Sequence, residues 1–457
     1  MFIGRKEELK QLESIYASDH SNLLVLYGRE GIGKTALALN FSEGRDHSYY
    51  QSVMVSEAEQ EKRLDEMFAG SLNLTQALTR NEGDGGQTPV SGDENKSGSV
   101  KKILIIDEFH YAMNQQLMAS LLSLVGNEEK YGKYMILLLS SSINWVENSM
   151  ILEYKEFARA ITGIIKLKEL SFADTVSWFP KVSASDCVVI RALLGGVPKY
   201  LKLWQENRRI RENMINLFFS PESILKNEAE YQLKLELREL GAYNTILTAL
   251  ASGRIKLNDI YEYSGFNRAK ISVYIKNLIE MDIVEKVYSI NVRNNENTKK
   301  GLYRIKDNFI NFYYAYVFPN VSRIETGEGK SVYNEAVVPD FDRFMRTAFA
   351  DVCREYLDIM SKYRKLGKNY NEWHYWFGKN GILDVIGMDP EENILVATCV
   401  YSDKKTDVDQ YEEMKELIEQ AGIKPSKLCI FSKTGFTPEL AKEAKADSVM
   451  TVSLNDF

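Results

Sequence analysis

The chain has 457 residues, of which 44% are hydrophobic and 26% charged, and its formal net charge is −7 at pH 7. This length exceeds what one hydrophobic core usually supports, so we expect several domains of about 100 to 200 residues each. The acidic balance excludes a protein coated in nucleic acid but permits a local basic face, and four scattered cysteines exclude a disulfide framework. At the amino end, residues 1–8 lack the pattern of a signal peptide, and no apolar run reaches the roughly 20 residues that span a bilayer, so we expect a cytoplasmic protein.

An apolar strand, a glycine-rich loop and the start of a helix are predicted over residues 22–39. The segment fits the pattern GxxxxGK[ST] in its strand–loop–helix context, which is typical of a loop that binds the phosphates of a nucleoside triphosphate. Lys34 would neutralise the phosphates and the Thr35 hydroxyl would be a ligand of Mg²⁺. The predicted ATP-binding residues of this segment are Gly28, Arg29, Glu30, Gly31, Ile32, Gly33, Lys34, Thr35 and Ala36.

The rest of the first region alternates helices and strands. Residues 57–79 are predicted as a polar helix, and the Gly-, Ser- and Asn-rich stretch 80–100 as a mobile excursion. The apolar runs at 102–108 and 134–141 are typical of parallel strands that are covered on both faces. Strands that alternate with helices through about residue 170 predict an α/β domain with a parallel, three-layer sheet.

Acidic and hydroxyl side chains stand at the ends of these two strands. Asp107 would hold Mg²⁺ through water, and Glu108 would be the general base for an attacking water. Ser140 and Ser141 end the neighbouring strand, where a hydroxyl would touch the γ-phosphate or the water. The alternatives are an ordinary acidic turn and an ordinary polar strand end.

The string from Asp107 to His110 is also similar to that of DEAH-type helicases. No second motor domain follows in the sequence, so we reject the helicase interpretation. His110 is then interpreted as a residue of the loop after the strand.

The remaining length predicts four further regions. After an α/β core at 1–171 we expect a helical lid or spacer at 172–240, a winged helix-turn-helix at 241–310, a linker at 311–340 and a second α/β domain at 341–457. No internal repeat is apparent. The third helix of the winged segment, 267–281, has an outer basic face that would bind duplex DNA, although acidic residues lie close by and a protein partner is an equal alternative. The candidate DNA-binding residues are Arg268, Lys270, Ser272 and Lys276.

Together these motifs resemble the archaeal-type ATPases of the STAND branch of the AAA+ superclass, over essentially the whole chain. Gly4 and Arg5 match the opening hhGRExE-like element of that family, which implies backbone contact with the adenine, although Lys6 stands where the family usually has an acid. The segment 195–198 is similar to the family's glycine–proline motif, which implies that Pro198 lies over the base.

The same resemblance implies a role for an arginine that precedes the last strand of the core. Arg159 lies where such proteins often carry a conspicuous arginine, which implies contact with the γ-phosphate. An exposed helix arginine is the alternative. The predicted catalytic residues are Lys34, Glu108, Ser140 and Arg159, and the predicted metal ligands are Thr35 and Asp107.

The last domain resembles the restriction-endonuclease-like fold found at the carboxyl end of these ATPases. An active member requires a carboxylate on the second strand and a Glu-x-Lys on the third, so that two acids hold Mg²⁺ and the lysine activates water. Asp384 fits the first position, but Thr398 and Val400 occupy the Glu-x-Lys positions and Ala350 stands where the first helix commonly has Glu. The resemblance therefore implies that this domain has lost nuclease activity.

We thus expect an ATP-binding, Mg²⁺-dependent ATPase that acts as a nucleotide-driven conformational switch, coupled to the winged helix and to a C-terminal interaction domain. Two alternatives remain: a DNA-directed, ATP-dependent nuclease, and a scaffold that holds ATP or ADP without hydrolysis and binds a protein partner. Duplex DNA through the winged helix, or a protein through the C-terminal domain, are the expected partners, and no membrane is expected.

Overall fold

The computed structural model describes residues 2–68, 100–290 and 301–457. Most of the predicted excursion 80–100, the end of the predicted helix 57–79 and residues 291–300 of the predicted winged helix-turn-helix lie outside these ranges. The chain divides into two compact units, Met1–Glu169 and Leu170–Phe457. Within the described ranges no helix combines the length and the apolar character needed to cross a membrane.

Five parallel strands form the centre of the first unit, in the order β2-β3-β4-β1-β5. Every residue of β1 and β4 is buried, because helices cover both faces of the sheet. The predicted parallel α/β sheet is therefore confirmed. The strands are β1 Asn22–Tyr27, β2 His47–Gln51, β3 Lys102–Asp107, β4 Tyr134–Ser140 and β5 Gly163–Lys166.

The helices of the first unit pack on this sheet through apolar side chains such as Leu121 and Phe157, which share a core with Leu104 and Ile106 of β3. The longer helices are α1 Lys6–Tyr16, α2 Lys34–Ser42, α3 Glu57–Phe68, α4 Gln115–Gly126 and α5 Lys155–Ala160. Shorter helical turns cover Phe109–Tyr111, Glu128–Tyr131, Trp145–Met150 and Ile151–Glu153.

The second unit begins with helices and continues with three helices and a two-stranded antiparallel sheet. That order agrees with the elements expected for 241–310. Asn267 caps the last of the three helices by accepting the N–H of Lys270 at 2.8 Å. The elements are α6 Phe172–Trp178, α7 Ala184–Leu194, a turn at Pro198–Leu201, α8 Ile210–Phe218, α9 Glu228–Glu236, α10 Leu240–Ala251, α11 Leu257–Ser264, α12 Arg268–Glu280, β6 Val284–Val287 and β7 Leu302–Ile305.

The segment 311–340, expected to be a linker, is instead helical and packed into the second unit. Four of its aromatic side chains, Phe312, Tyr313, Tyr314 and Tyr316, are buried, so this stretch contributes to a core rather than joining two cores. The prolines of this stretch lie in short 3₁₀ turns rather than in an extended linker. These turns are Asn308–Phe312, Tyr313–Val317, Phe318–Asn320, Val321–Glu325, Gly329–Val332, Tyr333–Val337 and Val338–Asp340.

A short internal repeat lies in the same segment, so the expectation of no repeat is wrong here. Each copy runs from an α-helical turn into a π turn and then into a 3₁₀ turn that contains a proline. Four residues recur at a spacing of twenty: Tyr313 and Tyr333, Val317 and Val337, Pro319 and Pro339, Arg323 and Arg343.

A mixed five-stranded sheet, in the order β12-β11-β10-β9-β8, closes the second unit. Strands β8 to β10 are antiparallel neighbours and β10 to β12 are parallel, which gives the C-terminal α/β domain that was expected. Its elements are α13 Phe341–Lys362, β8 Glu372–Phe377, β9 Ile382–Met388, β10 Ile394–Val400, α14 Val408–Ala421, β11 Lys427–Ser432, α15 Pro438–Ala446 and β12 Met450–Ser453.

Candidate functional site

The predicted phosphate-binding loop joins β1 to α2 with backbone conformations that require glycine. Gly28 has φ 150° and Gly33 has φ 97°. A Cβ at Gly28 would lie 2.6 Å from the carbonyl oxygen of Leu167, so no larger residue fits there. No side chain caps the first turn of α2, whose backbone N–H groups have no carbonyl partner within the helix. This turn has the donors that an anion requires.

The Lys34 side chain folds back over this loop. Its Nζ donates to the carbonyl oxygens of Gly28, at 2.8 Å, and Arg29, at 3.2 Å. Burial lowers the pKa of the Lys34 ammonium, and the carboxylates of Glu108 and Asp107 oppose that change. A buried cation on a glycine loop has the chemistry that triphosphate oxygens need.

The carboxylate of Asp107, at the end of β3, accepts hydrogen bonds from two hydroxyl groups. Thr35 Oγ1 donates to Asp107 Oδ2 at 2.5 Å, and the Tyr49 hydroxyl donates to the same oxygen at 3.0 Å. Burial, and then the nearby Asp107 charge, raise the pKa of Tyr49, so this hydroxyl stays protonated. The Thr35 hydroxyl and the Asp107 carboxylate are hard oxygen ligands of the kind Mg²⁺ takes, so these residues fit that ion.

Glu108 follows Asp107 in the left-handed backbone region, with φ 50°, which is uncommon for a residue with a side chain. Its Oε2 accepts from the backbone N–H of Ser141 at 2.9 Å and from the Ser141 hydroxyl at 2.7 Å. The Ser140 hydroxyl instead lies 3.1 Å from Nδ1 of His110 and is fully buried. The two strand-end serines thus have different partners, and their catalytic roles stay predictions.

Arg5, near the start of the sequence, contacts the phosphate-binding loop. The guanidinium of Arg5, which is buried, donates to the carbonyl oxygen of Ile32 at 2.9 Å and pairs with Glu8 at 3.1 Å. Arg29 pairs with Glu169 at 2.5 Å. Contact of Gly4 and Arg5 with an adenine stays a prediction, but the Arg5 side chain demonstrably supports the loop.

Two further residues were predicted from the family resemblance alone. Arg159 is exposed on α5 and makes no hydrogen bond or ion pair with any residue that the structure describes. Pro198 begins a short helix, Pro198–Leu201, of the second unit. Their roles toward a nucleotide stay predictions.

The basic residues of α12 have nearby partners. Lys270 lies 3.8 Å from Glu239 and Lys276 lies 3.5 Å from Glu280, while the guanidinium of Arg268 donates to Asn258 at 3.2 Å. The Ser272 hydroxyl donates to the carbonyl oxygen of Arg268 at 2.9 Å. Two of the three basic side chains of this face therefore have a carboxylate beside them.

In the C-terminal domain, Asp384 lies on β9 and pairs with Arg346 of α13, whose Nη2 is 3.2 Å from Asp384 Oδ2. Burial raises the pKa of Asp384, and the guanidinium of Arg346 opposes that rise. Ala350 is buried on the same helix, and Thr398 and Val400 are half-buried on β10. The one expected carboxylate is thus next to a guanidinium.

Sequence reasoning missed Tyr49 and gave His110 no role. Tyr49 lies on β2, a polar edge strand that lacks the apolar run by which a strand can be predicted. The pairing of β2 with β3 brings Tyr49 to Asp107. The position of His110, two residues after Glu108, was a signal that it lies near the site. Its contact with Ser140 could not be predicted, because that contact depends on the pairing of the strands.

A glycine loop between a buried strand and a helix, with a lysine and a threonine beside acidic residues at one edge of a parallel sheet, defines a P-loop nucleoside-triphosphatase domain. Residues 2–203 match a family described as an ATPase domain predominantly from Archaea. Residues 313–412 match a second family, of archaeal and bacterial proteins of unknown function.

Two proteins of Methanocaldococcus jannaschii are similar in sequence. One, named as an uncharacterized protein, is 30% identical over 420 residues, which cover 89% of this chain and 88% of that protein. The other, an uncharacterized ATP-binding protein, is 47% identical over 45 residues, covering 10% of this chain and 76% of that protein. This chain therefore belongs to the same family as the first of them, and it carries the archaeal-type ATPase domain.

Among solved structures, the Walker-type ATPase of Pyrococcus abyssi is 16% identical with a TM-score of 0.47, covering 68% of this chain and 96% of that one. The ORC2 protein of Aeropyrum pernix, in ADPNP–ADP complexes, is 14% identical with a TM-score of 0.44, covering 71% and 94%.

Proposed function

We propose that this protein binds ATP with Mg²⁺ and hydrolyses it. The observation that carries the proposal is the convergence of Lys34, Thr35, Asp107 and Glu108 at one edge of the parallel sheet. The magnesium ion supplies charge neutralisation on the phosphate oxygens when bound. Thr35 and Asp107 would hold it, Lys34 would bind the phosphates, and the backbone N–H groups of the loop would surround them.

Glu108 is the proposed general base. Its Oε2 is held by Ser141, whereas Oε1 has no hydrogen bond to a described residue. A water placed between Oε1 and the γ-phosphate would lose its proton to Oε1 as its oxygen attacks phosphorus, and ADP would leave. The left-handed backbone of Glu108 is the kind of strain that functional sites retain.

Two substitutions test this proposal. Lys34→Ala removes the buried cation and should weaken ATP binding by at least about tenfold, which corresponds to 1.4 kcal/mol. Glu108→Gln should keep ATP binding but lower turnover by about 100-fold or more, as expected for a general base. Calorimetric titration and phosphate release measure the two effects. Lys62→Ala and Glu129→Gln, on the surface, are matched controls; turnover that survives in Glu108→Gln would assign the base elsewhere.

We further propose that nucleotide state is transmitted to the second unit. Support comes from the ion pair between Arg29 of the phosphate loop and Glu169, which is the last residue of the first unit. A loop that rearranges around phosphates would move this arginine and therefore the start of the second unit. A change in the proteolysis pattern of residues after 170 on adding ATP would support a switch, and an unchanged pattern would contradict it.

The proposed partners engage the second unit. We assign α10–α12 with β6 and β7 to a winged helix, from the order of its elements, and duplex DNA or a protein as its partner. Nuclease activity is not part of the proposal, because Asp384 pairs with Arg346 and no acid stands at positions 398 and 400. ATP turnover measured with and without duplex DNA separates the two partners, since only a DNA-coupled protein should respond.

A further inference from the structure

We propose that His110 is a positioning residue for Glu108, acting through a hydrogen bond from its Nδ1–H. The inference rests on the proposed hydrolysis by Glu108. It concerns a residue that the sequence presents only as part of a loop after β3.

The contacts place Nδ1 of His110 between two oxygens. Ser140 Oγ lies 3.1 Å away and Glu108 Oε2 lies 3.4 Å away. The ring is held in this place by packing, since its centroid is 4.0 Å from that of Tyr111 and 6.0 Å from that of Trp145. Only a tenth of the His110 side chain is exposed, so water is mostly excluded from these contacts.

The acceptors decide which nitrogen carries the proton. Glu108 as a carboxylate has only lone pairs to offer, so an unprotonated Nδ1 at 3.4 Å would be repelled by it. Ser140 Oγ can give its own proton to the carbonyl oxygen of Ser142, 3.4 Å away, while it accepts from the N–H of Ser142 at 3.2 Å. The arrangement therefore favours the tautomer with hydrogen on Nδ1, directed at Ser140 Oγ with the Glu108 carboxylate beside it.

The consequence is an asymmetric carboxylate. Oε2 of Glu108 accepts from the N–H and the hydroxyl of Ser141, and Nδ1 of His110 lies 3.4 Å from it. Oε1 makes no hydrogen bond within the described part of the chain. Because lone pairs on Oε2 are occupied, the basic oxygen that meets water is Oε1, and its direction is fixed by the groups that hold Oε2.

Two variants separate positioning from packing. His110→Phe keeps a ring against Tyr111 and Trp145 but has no nitrogen. His110→Asn loses the ring and retains a side-chain amide near the position of Nδ1. We expect His110→Phe to lower kcat about tenfold or more while the affinity for ATP, measured by calorimetry, changes less than twofold. We expect His110→Asn to recover part of kcat, which a residue needed only for packing would not do.

A second measurement does not depend on turnover. Nitrogen-15 chemical shifts of the His110 ring in the full chain should report hydrogen on Nδ1, and hydrogen on Nε2 alone would overturn the proposal. Unchanged kcat in His110→Phe would also overturn it, as would a folded His110→Asn with kcat no higher than that of His110→Phe. Absence of turnover in the unsubstituted protein would instead reject the proposed hydrolysis, and the role of His110 with it.

Discussion

At the scale of single residues, the site is built from side chains that hold other side chains. Asp107 accepts from Thr35 and Tyr49 on Oδ2 and from the N–H of Glu108 on Oδ1, at 3.0 Å. Each such bond to a carboxylate contributes about 1.5 to 3 kcal/mol and also restricts the rotation of the Asp107 side chain. Tyr49 therefore helps to orient the Asp107 carboxylate of the candidate metal site, although it is no ligand itself.

The burial of His110 predicts a pH dependence of stability. Burial, and then the charge of Lys34, lower the pKa of His110 to about 4. A histidine in an unfolded chain has a pKa of about 6.5. Between pH 6.5 and 4, the unfolded state therefore binds a proton that the folded state does not bind. This group therefore adds no pH dependence above pH 6.5 and costs stability as the pH falls below it, by up to about 3 kcal/mol.

Denaturant unfolding of the protein and of His110→Asn at several pH values checks this sign. The free energy of unfolding should fall more steeply for the unsubstituted protein between pH 6.5 and 4, and the two slopes should agree above pH 7. Equal slopes over the whole range would mean that His110 keeps its ordinary pKa in the folded chain.

Residue types at the loop were predictable from sequence because GxxxxGK[ST] fixes both spacing and chemistry. Asp107 and Glu108 were predictable as the acids that end a buried strand. The partners of Glu108 were not, since Ser141 reaches it only through the pairing of β3 with β4, and the position of the His110 ring depends on the short turn after Glu108. A serine at a strand end predicts a hydroxyl at the right edge of the sheet but not which oxygen it will meet.

At the scale of elements, a polar network joins the β6–β7 hairpin to the C-terminal sheet domain inside the second unit. Arg304 of β7 donates to Asp351 of α13 at 2.9 Å and to the Tyr375 hydroxyl of β8 at 2.7 Å, and it also pairs with Glu285 of β6. Arg354 lies 3.0 Å from the same Asp351. Although burial opposes it, the two guanidinium groups hold the pKa of Asp351 below its usual value.

Removing Arg304 should therefore be costly. Arg304→Met leaves Glu285 and part of Asp351 unpaired in a largely buried place, and breaking such a pair typically costs about 3 kcal/mol or more. Arg323→Met is the matched control, because Arg323 pairs with Glu328 and Glu335 at the surface, where ion pairs contribute at most about 1 kcal/mol. Denaturant unfolding of the full chain measures both; equal losses would show that the network contributes little.

Element types were largely predictable, and the exceptions have physical reasons. Strand β2 has the sequence HSYYQ and lies at an edge, so it lacks the continuous apolar run that identifies β1, β3 and β4. The helical turns of 308–340 contain Pro319 and Pro339, and proline usually interrupts a helix. Each of these prolines instead lies in the 3₁₀ turn that follows a π turn. Their buried aromatic residues are the better guide to a packed segment.

At the scale of the whole molecule, the pair of Arg29 and Glu169 predicts how the proposed coupling fails. Glu169→Gln removes the charge at the end of the first unit but leaves Lys34, Asp107 and Glu108 intact. We expect basal turnover to stay within about twofold while any stimulation of turnover by a partner, such as duplex DNA, is lost. Arg45 and Glu13 form another ion pair of the first unit, so Glu13→Gln is the matched control.

Steady-state turnover with increasing DNA measures this difference. Stimulation retained in Glu169→Gln would show that another contact transmits the nucleotide state. Stimulation absent from the unsubstituted protein would favour a protein partner instead.

The ion pair between Arg346 and Asp384 has a consequence for how the two units depend on their surroundings. A magnesium ion dissociates, so the charge balance at Thr35 and Asp107 would follow the free concentration of that ion and be lost to a chelator. The guanidinium beside Asp384 is attached to the chain and cannot be diluted, exchanged or chelated. In the proposed function, the phosphate-loop site of the first unit would therefore respond to the supply of divalent ions, whereas Asp384 of the second unit has a counter-ion that is part of the chain.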